Sequence, residues 1–240
     1  MTSREALSAL AGAQKSNSGA PAYTRYVNRP LGRWFAAVAY KAGLRPNQVT
    51  AISAAFTFCG VLTIALVPPS PISGAIIVLL LLIGYALDAA DGQLSRLLRS
   101  GSVAGEWLDH TVDAFKMSSI HAAVLICWAR FYDVSPAWLL VPLAFQIVSS
   151  VFFAQVLLAD LLRRIASAKG SVASPPASYR MSWSYSVAVL PADFGLLACT
   201  FFLIDYQPLF IAVYSALFVV NAALLLISCR RWFLSMKTLG

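Results

Sequence analysis

Long apolar stretches separated by short polar segments run from residue 49 to residue 228 of the 240-residue chain. Most of them approach the roughly 20 residues that an α-helix needs to cross the hydrocarbon core of a bilayer. The pattern predicts an all-α integral membrane protein with six transmembrane helices. The predicted ranges are 49–67, 72–87, 106–132, 138–159, 191–206 and 209–228.

The fifth range has two possible starting points, because Pro191 and Asp193 interrupt its apolar pattern. A helix that began at Trp183 would carry Asp193 to the middle of the membrane, where an unpaired carboxylate is costly. A helix with Pro191 in its first turn would place Asp193 where the helix dipole stabilises a negative charge. We prefer the second start and expect this helix to reach Tyr206.

An amphipathic helix is predicted before the first span, over residues 25–44. Arg25, Arg29 and Arg33 recur every four residues and therefore share one helix face. Apolar contact comes from Leu31, Trp34, Phe35 and Val38. We interpret the segment as an interfacial helix with its arginines near anionic lipid; direct substrate contact by one arginine is the alternative. Residues 1–24 are predicted to be a mobile cytosolic tail, and residues 45–240 the transmembrane domain with the candidate chemistry.

Composition and charge exclude an ordinary soluble domain and indicate an orientation. Charged residues make up 12% of the chain, against about 25% in soluble domains. Sixteen of the 18 Lys and Arg residues lie on the side that holds both predicted termini; Lys116, just inside the third span, and Arg130 are the exceptions. By the positive-inside rule this side is cytosolic. The net charge of +8 is therefore explained by the orientation of a multi-pass protein in the cell membrane, and we expect no nucleic-acid partner.

Acidic residues cluster around the turn between the second and third spans: Asp88, Asp91, Glu106, Asp109 and Asp113. Asp88 and Asp91 are spaced i, i+3, and Asp109 and Asp113 are spaced i, i+4, so each pair shares one helix face. A short loop makes the two helices antiparallel neighbours, and the four aspartates should meet near the cytosolic boundary. Oxygen ligands suit Mg²⁺, Mn²⁺ or Ca²⁺, and two such ions can clamp a phosphoryl group.

Neighbouring residues add to this candidate site. Gly92 follows Asp91, and Gly105 opens the third helix; glycine at these positions would let a ligand approach the backbone. Arg96 lies four residues after Gly92 and can reach a phosphate on the same face. We assign His110 and His121 to structural positions.

The spacing of these residues resembles the signature D-x2-D-G-x2-A-R-x8-G-x3-D-x3-D of the CDP-alcohol phosphotransferase (phosphatidyltransferase) family. Every spacing matches; the one departure is Ser95, where the family usually has Ala, and Ser is small enough to keep close packing. Residues 45–50 also resemble the family's P-N-x-V-T lead into its first span. The signature falls on Asp88, Asp91, Gly92, Ser95, Arg96, Gly105, Asp109 and Asp113.

The resemblance implies an enzyme of phospholipid biosynthesis that passes a substituted phosphate from a CDP-alcohol to an acceptor hydroxyl and releases CMP. The expected donor is CDP-diacylglycerol, in the lipid bilayer, and the expected cofactor is Mg²⁺ or Mn²⁺, as two ions. A homodimer is also expected. The implied metal ligands are Asp88, Asp91, Asp109 and Asp113, with Asp113 also the general base. The implied CDP-binding residues are Asp88, Asn47, Gly92, Ser95, Arg96 and Gly105.

Other interpretations stay open. The same chemistry could use a soluble CDP-alcohol donor and a lipid alcohol acceptor. A divalent-cation transporter is more remote, because transport sites usually lie near the membrane midplane. A scaffold would leave the carboxylates without a role. Candidate acceptor-binding residues are Arg163, Arg164, Arg180 and Asp193; the arginines would suit an acceptor phosphate, or they are only positive-inside charges.

Overall fold

The computed structural model describes residues 20–169 and 183–237, and all regular elements in these two ranges are helical. This confirms the predicted all-α class. A π-helical turn at Thr24–Asn28 leads into α1 (Arg29–Lys41), which covers most of the predicted interfacial helix. The predicted tail, residues 1–24, falls mostly outside the described ranges.

Four long helices follow: α2 (Pro46–Leu66), α3 (Pro71–Leu98), α4 (Val103–Phe131) and α5 (Leu140–Ala168), the last after a 3₁₀ turn at Pro136–Leu139. Proline opens α2 and α3 at positions where a backbone N–H is not needed. Ser70 and Ser102 cap α3 and α4, because their hydroxyl oxygens accept backbone N–H bonds from Ser73 (3.1 Å) and Gly105 (3.0 Å). The short connections make consecutive helices antiparallel.

The last part of the described chain contains shorter pieces and one long helix: α6 (Trp183–Ala188), a 3₁₀ turn at Leu190–Ala192, α7 (Phe194–Thr200), a 3₁₀ turn at Phe201–Leu203, and α8 (Gln207–Lys237). Within the described ranges, five helices are long and apolar enough to cross a membrane: α2, α3, α4, α5 with its leading turn, and α8. The protein is therefore a multi-pass membrane protein. The fifth predicted span is divided, and its apolar part, Phe194–Leu203, is shorter. The count of six stays a prediction.

Small residues let α1 and α2 approach α3 closely. Ser53 Oγ donates to the carbonyl of Gly84 over 2.8 Å, and a Cβ on Gly84 would collide with Thr57. A Cβ on Gly32 of α1 would lie 2.8 Å from Cβ of Ala89. Close backbone approach at small residues is a common way to pack helices in a membrane. These contacts fix α3, which carries Asp88 and Asp91.

Aromatic residues pack α4 against α8 away from the acidic end. His121 Nδ1 lies 2.6 Å from the hydroxyl of Tyr214, and the His121 ring stacks on Phe145. At the end of α4, Tyr132 donates its hydroxyl hydrogen bond to the carbonyl of Ile204. His121 is thus a buried packing residue, as expected from the sequence.

Candidate active site

The predicted aspartates meet where the end of α3 passes the start of α4. Arg99, in the left-handed conformation at φ 49°, ends α3, and the chain reverses direction before Ser102 caps α4. Carboxylate oxygens of Asp88, Asp91 and Asp109 lie within 4.8 Å of one another. Two helices therefore bring together one group of carboxylate oxygens that could hold a metal ion, as the helical spacing predicts.

A second group of possible ligands consists of Asp109, His110 and Asp113, also within 4.8 Å of one another. The two groups share Asp109, so all four predicted aspartates belong to one cluster. His110 lies beside the carboxylates and at the wall of the adjoining cavity, which differs from the structural position assigned to it from the sequence. Its position next to Asp109 in the sequence could have indicated that it lies at the cluster.

Lys116 also belongs to the cluster, although the pattern of acidic residues in the sequence did not indicate this. Its side-chain nitrogen donates to Oδ1 of Asp88 and, over 3.1 Å, to Oδ1 of Asp113. The residue is 5% exposed. The i, i+3 spacing from Asp113 could have indicated one contact; the contact with Asp88 depends on how α3 and α4 pack.

Asp91 receives a hydrogen bond from the first long helix. The hydroxyl of Thr50 donates to Oδ2 of Asp91 over 2.5 Å, and both residues are buried. Thr50 lies one turn into α2, in the segment that resembles the family's lead into its first span. α2 therefore helps to orient a predicted metal ligand.

A polar cavity of about 980 Å³ opens at this end of the bundle, with walls from α2, α3, α4 and one residue of α5. Most of the predicted CDP-binding residues line it: Asn47, Gly92, Ser95, Arg96 and Gly105, together with Asp91 and Asp109. Among the described residues, a Cβ on Gly92 would meet the Arg96 guanidinium, at 3.5 Å in ordinary van der Waals contact, so the backbone there is open apart from that flexible side chain. A Cβ on Gly105 would lie 3.3 Å from Oδ1 of Asn47, so these two residues adjoin.

The candidate acceptor residues lie in three different environments. Arg164 lines the cavity and donates to Glu106 and Asp160, each over 2.7 Å. Arg163 is exposed on α5. Arg180 lies outside the described residues.

Asp193 is 2% exposed and held by the protein itself. It is the N-cap of α7 and accepts the N–H of Gly195 over 2.8 Å. It also accepts the backbone N–H and the hydroxyl of Thr24, over 2.9 Å and 2.6 Å. Burial, with Cys199 and the Asp193 carboxylate nearby, raises the pKa of Tyr23 to about 12.

The helix that Asp193 caps therefore begins at Phe194, three residues later than the preferred start at Pro191, which lies in the preceding 3₁₀ turn. Asp193 still faces the positive end of the helix, as expected, and its acceptor role stays a prediction.

An apolar groove of about 500 Å³ adjoins the polar cavity on the outer face of α4 and α5. Trp107, Phe115, Phe153 and Leu157 are among the residues that line it. His110 lines both the groove and the cavity. A molecule with a polar and an apolar part could occupy both.

The chemistry of the donor set fits a divalent cation. Asp88, Asp91 and Asp109 offer carboxylate oxygens only, which Mg²⁺ and Mn²⁺ prefer. The group that contains His110 would add one nitrogen, which Mn²⁺ accepts more readily than Mg²⁺.

Comparison with protein families matches residues 44–230 to the CDP-alcohol phosphatidyltransferases. The matched range covers more than half of the chain and includes the whole aspartate cluster, so the chain belongs to the CDP-alcohol phosphatidyltransferase family. Comparison with curated proteins gave no match.

Family membership confirms the predicted enzyme class. The protein is a phosphotransferase that acts in a membrane on a CDP-alcohol donor and an alcohol acceptor in phospholipid synthesis. The family is typically dependent on a divalent metal, and the acidic cluster is where this chain could hold one.

Proposed function

We propose that this protein transfers a phosphatidyl group from CDP-diacylglycerol to the hydroxyl of an acceptor alcohol and releases CMP. The observation that carries the proposal is the meeting of Asp88, Asp91 and Asp109, from two helices, beside a polar cavity of about 980 Å³. Phosphoryl transfer depends mainly on positioning and on neutralising negative charge. The cavity combines carboxylates that can hold a cation with the guanidinium of Arg96.

Several cavity residues have a proposed role in binding the donor. Asn47, Ser95 and Gly105 bind the CDP part, and Arg96 contacts its phosphates. The open backbone at Gly92 lets the nucleotide approach α3 closely. Thr50 keeps Asp91 oriented through its 2.5 Å hydrogen bond.

In the transfer step, a bond forms between the acceptor oxygen and the phosphorus next to diacylglycerol. The bond from that phosphorus to the bridging oxygen of the pyrophosphate breaks, and this oxygen leaves with CMP. Asp113 takes the proton of the attacking hydroxyl as general base. Its hydrogen bond from Lys116, at 3.1 Å, holds the carboxylate in position. Mg²⁺ or Mn²⁺ bound by Asp88, Asp91 and Asp109 would neutralise the pyrophosphate and stabilise the leaving group.

The apolar groove supports a lipid substrate. His110 lines both the groove and the cavity, so acyl chains could lie beside α4 and α5 while the head group enters the cavity. CDP-diacylglycerol as donor meets this requirement directly. A soluble CDP-alcohol with a lipid acceptor is the second candidate, since the same groove would then hold the acceptor.

We also propose six membrane crossings with both termini and the site on the cytosolic side, and an interfacial position for α1. Asp193 accepts a hydrogen bond from Thr24, whose hydroxyl also contacts that of Tyr85 on α3. Ile204 accepts a hydrogen bond from Tyr132, at the end of α4 that is remote from the aspartates. The segment between Asp193 and Ile204 thus runs from near the level of the aspartates to the other end of the helix bundle. This supports a membrane crossing made of two consecutive short helical segments. Leu31, Trp34 and Val38 leave an exposed apolar face on α1. The expected homodimer remains part of the proposal.

Membrane vesicles test both the metal dependence and the orientation. Inverted vesicles with CDP-diacylglycerol and one class of alcohol at a time should release CMP only with Mg²⁺ or Mn²⁺, and external EDTA should stop the release. Sealed right-side-out vesicles should be insensitive to external EDTA. Asp91→Asn should lose activity by more than about 100-fold, because a direct ligand matters at least as much as its outer partners. Asp205→Asn, an exposed carboxylate, is the control.

CMP release by the metal-free protein would contradict the metal dependence, and the reverse vesicle pattern would contradict the orientation. CMP release from a soluble CDP-alcohol but not from CDP-diacylglycerol would favour the second candidate.

A further inference from the structure

Lys116 gives the aspartate cluster a cation that belongs to the protein. It lies on α4 three residues beyond Asp113, where it donates to Asp88 and, over 3.1 Å, to Asp113. The Lys116 side chain is 6% exposed and those of Asp88 and Asp113 are 20% and 24% exposed. An ionisable side chain enclosed at this depth normally faces a partner or a functional site, and here it faces both.

The position of Lys116 relates it to both groups of possible metal ligands. One group is Asp88, Asp91 and Asp109, and the other is Asp109, His110 and Asp113. Lys116 contacts Asp88 from the first group and Asp113 from the second. A cation in either group therefore lies close to the Lys116 ammonium, and the repulsion is weakly screened because the site is largely enclosed.

The formal charges of the four aspartates and Lys116 determine how many divalent ions the cluster favours. Four carboxylates and one ammonium sum to three negative charges. One divalent ion leaves one negative charge, and a second ion would leave one positive charge in an enclosed site, which is unfavourable. Without Lys116, two ions would give neutrality. The negative charge of a pyrophosphate would offset the second ion when the donor is bound.

We propose that Lys116 is a positioning residue that limits the resting site to one divalent ion and makes binding of the second ion depend on the pyrophosphate of the donor. The inference rests on the metal dependence proposed above and refines the two-ion prediction. The two cations would then arrive in order, one before the nucleotide and one with it. Lys116 would meanwhile keep Asp88 and Asp113 together in the metal-free protein.

Titration of the purified full chain with Mn²⁺, followed by the electron paramagnetic resonance signal of free Mn²⁺, tests this order. CDP serves as the pyrophosphate probe. Wild type should bind one Mn²⁺ per chain alone and two with CDP. Lys116→Met should bind two Mn²⁺ without CDP. Its affinity for the second ion should be at least about tenfold higher than that of wild type, because a nearby positive charge has been removed. Lys116→Arg keeps the charge and should restore the wild-type pattern.

Equal Mn²⁺ stoichiometry and affinity in wild type and Lys116→Met would overturn the role of Lys116 while leaving the metal dependence intact. No Mn²⁺ binding by wild type with or without CDP would instead contradict the proposed metal dependence. If Lys116→Met does not fold, wild type alone decides: two ions bound in the absence of CDP would overturn the proposal.

Discussion

Asp193 and the aspartate cluster both lie beside α3, but their negative charges are stabilised in different ways. Asp193 accepts three hydrogen bonds, two from Thr24 and one from the N–H of Gly195, and is 2% exposed. Thr24 also touches the hydroxyl of Tyr85, which precedes Asp88 by three residues on α3. Thr24 therefore links Asp193 to a residue whose backbone lies about one helical turn before Asp88 on α3.

The cluster concentrates four carboxylates, and its oxygens lie near one another at a cavity wall. Lys116 is shared between Asp88 and Asp113, whereas Asp193 has donors of its own. Carboxylates brought this close repel one another unless cations or protons compensate them. A buried aspartate with several donors of its own is satisfied by the protein, whereas four aspartates with one lysine among them keep a negative charge that a bound cation would neutralise, as proposed above.

The largest expected effect is a loss of turnover when the aspartate cluster is changed. Asp113→Asn should lower turnover by about 10²–10⁴-fold, because a positioned base contributes that much. The first Mn²⁺ and the donor should still bind, since Asp88, Asp91 and Asp109 remain, whereas the second Mn²⁺ should bind more weakly because the cluster has lost one negative charge. CMP release and Mn²⁺ titration measure the two quantities, with Asp205→Asn as control. A collapse of the affinity for the first Mn²⁺ or for the donor would make Asp113 chiefly a metal ligand.

Helical periodicity was sufficient to predict the cluster because its decisive relations are local. The i, i+3 and i, i+4 spacings bring Asp88 beside Asp91 and Asp109 beside Asp113 on single helices. One short turn then brings the two helices together. The apolar pattern likewise gave the long helices, although α3 and α5 extend past the predicted ends to Leu98 and Ala168 because polar residues continue a helix beyond the apolar core.

The surroundings of these aspartates could not be predicted, because they depend on contacts between distant parts of the chain. Thr50 reaches Asp91 across 41 positions, and Thr24 reaches Asp193 across 169. Only the packing of α1, α2 and α7 on α3 brings such residues together. The chemistry of a single aspartate does not distinguish a ligand from an N-cap, so Asp193 could be placed in a helix turn but not assigned a partner.

A moderate loss of stability is expected when the hydrogen bonds of Asp193 are changed. Thr24→Val removes the hydroxyl that donates to Asp193 over 2.6 Å and keeps the shape of the side chain. We expect unfolding stability to fall by about 1.5–3 kcal/mol, the usual value of a hydrogen bond to a charged group. Thermal or denaturant unfolding in detergent measures this loss. Turnover of the folded protein should stay near wild type.

Thr63→Val is a matched control, because the Thr63 hydroxyl donates only to the Cys59 carbonyl of its own helix over 2.8 Å. Its stability should change by less than about 0.5 kcal/mol, as for most surface changes. If Thr24→Val kept wild-type stability but raised the KM of the acceptor, Asp193 would belong to the acceptor pocket, as the sequence indicated, and the two carboxylate sites would act together.

The smallest effect is expected at the cavity rim. Arg164 is exposed over 57% of its side chain and bonds to Glu106 and Asp160, so Arg164→Gln should cost no more than about 1 kcal/mol of stability. Because Arg164 lines the cavity, a phosphorylated acceptor would lose one guanidinium contact. The KM of such an acceptor should then rise by about two- to fivefold, the scale of one exposed ion pair.

Arg163 offers the control, since it precedes Arg164 on α5 and is exposed without lining the cavity. Arg163→Gln should leave both KM values unchanged. A rise in acceptor KM for Arg164→Gln alone, with donor KM unchanged, would extend the charged part of the site from the cluster to α5. Equal kinetics for both variants would make these arginines positive-inside charges, and the cation needed by the donor would then come from the cluster and Arg96.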